Sequence, residues 1–199
     1  MIEIKDSGKN NSIIFSENLK KCNLLINVTG SNNKIIISPS ATVNGILLVE
    51  SSNSEIVFQE SVRFNGRIFQ KGEGKNSVII GRESTTGGIS IICSEGTNVS
   101  IGKNCMISFD VEIRTSDSHA IFDLNSKERI NFASDIVIED DVWIAAHAKL
   151  LKGCKISRGS VVGFSSLVTK KFDQKNVVIA GNPARVVKSN VYWERKLLG

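Results

Sequence analysis

Between Ile138 and Val168 an aliphatic residue returns at every sixth position: Ile138, Ile144, Leu150, Ile156, Val162 and Val168. Four residues after each of the first five stands Val142, Ala148, Cys154, Ser160 or Ser166, a mostly small set. A period of six does not fit a helical stripe, whose apolar positions fall at i, i+3, i+4 and i+7. It also differs from the two-residue alternation of a half-buried strand. Hexapeptide periodicity points instead to a parallel β-helix, in which each unit is one short strand and one bend. The aliphatic residue of each unit points inward, and the small one sits where the chain turns a corner. Stacked coils then form internal ladders, and each coil buries its neighbour.

A longer period runs through the first hundred residues. Five short apolar segments end at Phe15, Ile37, Phe58, Ile80 and Ile101, spaced 22, 21, 22 and 21 residues apart. That is one coil per repeat. The residues leading into these segments are rich in Asn and Ser, which tolerate turn conformations that β-branched residues resist. Hexapeptide steps follow several of them: Ile37 to Val43, Phe58 to Phe64, and Ile101 to Ile107 to Ile113. The expected architecture is a single all-β solenoid over residues 1–188, with longer corners in its N-terminal half. That half reads as scaffold and as the wall of an acceptor groove.

The six-residue step breaks between Ile113 and Ile136. The intervening excursion, residues 114–135, is polar and too long for one corner, and it holds one of the chain's two histidines, His119. Long excursions from a regular scaffold are usually functional or disordered. Ile121, Phe122 and Phe132 are expected to anchor this one. After Val168 come a corner at 170–176, a last strand at Val177–Ala180, and a turn at Gly181-Asn182-Pro183. Val187, Val191, Trp193 and Leu197 lie on helical spacing, so a short helix over 189–199 is expected to cap the open coil.

Bulk properties narrow the function. A net charge of +5 with a pI near 9.1 favours an anionic partner such as coenzyme A phosphates or an acidic glycan. No dense Lys/Arg patch interleaves with aromatics, which argues against nucleic acid. The four cysteines, Cys22, Cys93, Cys105 and Cys154, fit no CxxC metal pattern. Cys105 and Cys154 fall at the small corner position, so buried thiols in a reducing compartment are expected, without disulfides. No run of 18 apolar residues marks a membrane helix, and the N-terminus carries no signal-peptide pattern. The expected location is the cytoplasm.

Motifs in the last third carry a resemblance. In order they are Asp141-Val142-Trp143-Ile144, Leu150-Leu151-Lys152-Gly153, the run from Ile156 to Gly163, Val168-Thr169-Lys170, and Ala180-Gly181-Asn182-Pro183-Ala184-Arg185-Val186-Val187. Together they span residues 136–188. This stretch resembles the hexapeptide-repeat acetyltransferases, which are left-handed parallel β-helices. With the Ser116-Asp117-Ser118-His119 segment, the nearest branch is the bacterial capsular sialic acid and polysialic acid O-acetyltransferases.

The resemblance implies acetyl-coenzyme A-dependent O-acetylation of a sugar hydroxyl on a surface polysaccharide. It implies a homotrimer with its active sites between subunits, and no required metal. His119 is implied as catalytic base, a task that suits an imidazole titrating near neutral pH. Trp143, which repeat arithmetic turns outward, is implied to line the site with its indole N–H. Asp117 and Arg114 are candidates for orienting the base or binding the acceptor. His147, also outward, occupies a slot where the family usually has Asn or His, and it is the rival base. For the donor, the resemblance points to Ala145, Gly163, Ser165, Thr169, Lys170 and Arg185, with backbone amides near Gly163 and Ser165 meeting pantetheine. Ala145 and Ala146 precede His147, where the family tends to have Gly. Phe164 stands where it commonly has Ala, which implies a narrowed pantetheine channel. Two other readings remain beside this one: N-acetylation of an amino-sugar nucleotide, and a non-catalytic β-solenoid used for binding or assembly.

Overall fold

The computed structural model describes residues 1–16 and 22–196. It is a β-solenoid of stacked parallel coils with 22 strands and no helix among the described residues. Each coil visits three faces in turn. In the C-terminal coils the order is third face at Ile136–Ile138, first face at Trp143–Ile144, second face at Lys149–Leu151, and then third face again at Lys155–Ile156. Eight strands stack on the third face. The first and second faces merge into one 14-stranded sheet, because Thr42–Val49 and Arg63–Lys71 run through the corner between them. Both bend at a glycine, Gly45 at φ 127° and Gly66 at φ 153°. A Cβ on Gly45 would lie 1.8 Å from the Gly66 carbonyl oxygen, so close stacking there requires glycine.

Every rung of the hexapeptide ladder points inward. Ile107, Ile144, Val162 and Ile179 stack on the first face, and Ile113, Leu150 and Val168 stack on the second. Ile101, Ile138, Ile156 and Phe172 stack on the third. The small-position residues Val142, Ala148, Cys154, Ser160 and Ser166 are all buried. Successive coils of this region are 18 residues apart, which is three hexapeptides for three faces. In the N-terminal half the offset is 21 to 23 residues. There Ile37, Phe58, Ile80 and Ile101 lie in one register on the third face, as the longer period predicts. Burial pushes the Cys93 and Cys105 thiols up to about 11 and that of Cys154 up to about 12.

Two expectations are corrected. The helix expected over 189–199 does not form over 189–196; residues 197–199 lie outside the described residues. Ala184–Ser189 instead pairs antiparallel with Val177–Gly181, meeting the backbone groups that the last coil leaves open. The apolar residues expected to anchor the excursion do not. Ile121, Phe122 and Phe132 are all more than half exposed, and polar contacts hold the loop instead. No helix of the described residues is long and apolar enough to cross a membrane.

Candidate active site

The excursion leaves the solenoid at the corner between the second and third faces, where successive coils lie 37 residues apart instead of 18. Its hub is Asn131, almost fully buried. The Asn131 amide nitrogen donates to Asp117 Oδ2 at 2.9 Å and to the His119 carbonyl at 2.8 Å. Its oxygen accepts from the Ile121 N–H at 2.6 Å. Lys152, from the next coil, pairs with the Asp117 carboxylate and donates to the Asn131 carbonyl at 3.1 Å. Lys152 and then Asn131 hold the Asp117 carboxyl below its ordinary range. Deeper in the loop, Arg129 meets Glu95 at 2.7 Å, and Ser116 donates to the same carboxylate.

His119 sits on the exposed rim of this braced segment. Its main chain is held, and its imidazole makes no hydrogen bond among the described residues. Asp117 therefore does not orient the ring within one chain; it braces the backbone through Asn131. Arg114 lies half-buried beside Glu112, with Nε 3.5 Å from Oε1, and its charge also acts on Asp117.

His147 occupies the opposite edge of the same face, at the corner between the first and second faces. Its φ is 62°, a left-handed corner conformation shared by Asp110 before it and Ser165 after it. His147 Nδ1 lies 2.6 Å from Asp110 Oδ2. The His147 hydrogen bond, and then Lys149, hold the Asp110 carboxyl below its ordinary range. The imidazole stands edge-on between Phe109, at 5.1 Å, and Phe164, at 4.9 Å. Phe164 is thus part of the wall around His147. Trp143 points outward from the first face, as expected, with the Trp193 ring 6.1 Å away.

The donor candidates divide between these two edges. Ala145, Gly163 and Ser165 lie at the His147 corner. Arg185 follows the turn after Ala180 and pairs with it across the last sheet edge. Thr169 and Lys170 lie at the His119 corner and are exposed, as is Arg185. The N–H groups of Ala145, Gly163 and Ser165 donate to the Val162, Ile179 and Ala146 carbonyls at 2.8 to 3.0 Å, as part of the coil stacking. Sequence reasoning did not single out Asn131, Lys152, Glu95, Arg129 or Asp110. For Asp110 and Lys152 the signal was available, since each falls at a repeat corner facing the excursion or the outward His147.

No family model matches the chain. Curated relatives do. The polysialic acid O-acetyltransferase of Neisseria meningitidis is 33% identical over 190 residues, covering 96% of this chain and 78% of that protein. The polysialic acid O-acetyltransferase of Escherichia coli O1:K1 / APEC is 40% identical over 120 residues, covering 60% of this chain but only 39% of that protein. Among solved structures, the polySia-specific acetyltransferase NeuO superposes with a TM-score of 0.87 at 32% identity, over 98% of this chain and 89% of that one. The polysialic acid O-acetyltransferase OatWY superposes at 0.84 and 30% identity, over 100% and 93%. A relative at this identity along nearly the whole chain, with two solved structures of the same coil stack, places this protein in the family of polysialic acid O-acetyltransferases.

Proposed function

We propose that the protein transfers an acetyl group from acetyl-coenzyme A to a hydroxyl of a polysialic acid capsule, with His119 as the base. The observation that carries this reading is His119 itself: its backbone is locked by Asn131 while its imidazole is left free on an exposed rim. In the reaction, the imidazole takes the proton of the sugar hydroxyl as its oxygen attacks the thioester carbonyl. The carbon–sulfur bond then breaks, and the imidazolium returns the proton to the departing thiolate. The Trp143 indole N–H is the donor assigned to the oxyanion.

The site is assigned to the junction of two copies in a homotrimer. Within one chain the candidates sit on opposite edges of the second face, with His119, Thr169 and Lys170 on one edge and His147, Asp110 and Phe164 on the other. A neighbour that packs one edge against the other unites them. The excursion's exposed Phe122, Leu124, Ile130 and Phe132 supply the apolar surface that such a contact would cover. Lys170 and Arg185 have no carboxylate partner in the ion pairs of the described residues, which suits them to the phosphates of coenzyme A. Dependence on acetyl-coenzyme A assigns the reaction to the cytoplasm, where that donor is made.

A second reading has its own observation. The His147–Asp110 couple is a ready base with its orienting carboxylate, at 2.6 Å. The test is thiol release from acetyl-coenzyme A with oligomeric polysialic acid, monomeric sialic acid and neutral glycans, for wild type, His119→Ala and His147→Ala. Release with the sialic polymer that is abolished in His119→Ala supports the main reading. Abolition in His147→Ala with His119→Ala still active assigns the base to His147. Acetyl in the product that mild alkali removes is an ester, whereas acetyl that survives is an amide and restores N-acetylation.

A further inference from the structure

We propose that the C-terminal strap, residues 191–196, is a positioning element for Trp143, with Trp193 and Arg195 as its working residues. This rests on the assignment of Trp143 to the active site.

Trp143 stands on the outward side of a strand only two residues long, flanked in the sheet by Met106 and Val161. The ladder that locks inward residues does nothing for an outward indole. The strap supplies the missing wall. The Val191 N–H donates to the Asn176 carbonyl at 3.0 Å, and the Asn176 amide returns a bond to the Val191 carbonyl at 3.2 Å. Trp193 Nε1 then donates to the Asp141 carbonyl at 2.7 Å, two residues before Trp143. This sets the two indoles 6.1 Å apart and tilted by 45°, within the range of an attractive aromatic pair.

Arg195 closes the strap. Its Nε donates to Asn104 Oδ1 at 2.9 Å and its Nη1 to Thr85 Oγ1 at 2.9 Å. Its Nη2 donates to the Cys105 carbonyl at 2.8 Å and to the Glu83 carbonyl at 3.3 Å. The guanidinium also lies 5.9 Å from the centre of the Trp193 ring. The strap therefore runs back along the solenoid, from the coil of Asn176 to that of Glu83. It crosses four steps of about 4.8 Å each. Capping does not account for this tie, because Ala184–Ser189 already covers the edge of the last coil. What the strap covers is the side wall on which Trp143 stands. A fixed indole direction is what a donor aimed at a developing oxyanion requires.

The test is a double-mutant cycle with a spectroscopic arm. Arg195→Gln is expected to lower acceptor-dependent kcat about tenfold, with acetyl-coenzyme A affinity unchanged. In a Trp143→Phe background the same substitution is expected to cost nothing further. The chain has two tryptophans, so 5-fluorotryptophan labelling gives two fluorine signals, and Trp143→Phe identifies the one that belongs to Trp143 while Trp193 stays in place. Arg195→Gln is expected to shift and broaden the Trp143 signal. An equal loss in both backgrounds, or an unchanged Trp143 signal with only a lower melting temperature, reduces the strap to a structural staple and overturns the proposal. Full turnover in Trp143→Phe alone would instead remove Trp143 from the site, a separate failure visible before Arg195 is touched.

Discussion

One amide nitrogen, Asn131 Nδ2, bonds both the His119 carbonyl and the Asp117 carboxylate. The proposed base and the acid that braces its backbone are thereby tied to a residue 12 positions beyond His119. Asn131→Ala removes both bonds and the acceptor of the Ile121 N–H. The expected result is a fall in kcat of about a hundredfold, since small misplacements of a catalytic group are this costly. The solenoid core lies outside the excursion, so the urea midpoint is expected to move little. Steady-state kinetics alongside an unfolding curve checks both halves.

Asp117 carries a pH signature. Its folded pKa is lowered, first by Lys152 and then by Asn131. The brace is therefore fully present above the ordinary carboxylate range and is lost as pH falls through the depressed folded value. Amide exchange of residues 116–131 is expected to stay slow at neutral pH and to accelerate on acidification. In Asp117→Asn it is expected to be faster at neutral pH and to lose the acid dependence. Exchange that is pH-insensitive in the wild type, beyond the intrinsic chemical rate, would count against the brace.

The two histidines separate by kinetics. His119→Ala is expected to reduce kcat by about 10² to 10⁴, the usual yield of general acid–base catalysis. Asp110→Asn, which changes the partner of His147 Nδ1, is expected to act chiefly on the KM for acetyl-coenzyme A, because that corner is assigned to the donor. A collapse of kcat in Asp110→Asn matching that of His119→Ala would shift the base to the His147 couple.

The core prediction concerns one rung. Ile144 is fully buried between Ile107 and Val162 in the first-face ladder. Ile144→Ala is expected to destabilise by about 2 to 5 kcal/mol. Urea unfolding at one fixed protein concentration measures this.

The buried thiols give a chemical check. Cys93, Cys105 and Cys154 are core residues whose thiols burial pushes up to between about 11 and about 12. They are expected to resist aromatic disulfide reagents in the native protein at pH 8 and to react in denaturant. Fast labelling of the native protein would contradict the packing of these corners.

A hexapeptide period in Ile, Leu and Val suffices to specify inward ladders, because only a coil with a strand and a bend per unit buries every sixth residue on one axis. That is why Ile138 through Val168, the corner residues Val142 to Ser166, and the outward aim of Trp143 and His147 were all legible in the chain. The family was legible for another reason, the resemblance of local motifs, which also singled out His119 as the proposed base. What the chain order could not express is contact between segments far apart in it. Asp110 meets His147 across 37 residues, Lys152 meets Asp117 across 35, and Arg195 reaches Glu83 across 112. The end of the chain shows the same limit. The spacing of Val187, Val191 and Trp193 suits a helix, but an open sheet edge and the Trp143 wall offered backbone and aromatic partners that an isolated helix lacks. The ladder was therefore decided by local periodicity, while the bracing of His119, the His147–Asp110 couple and the strap over Trp143 were decided only when the coils stacked.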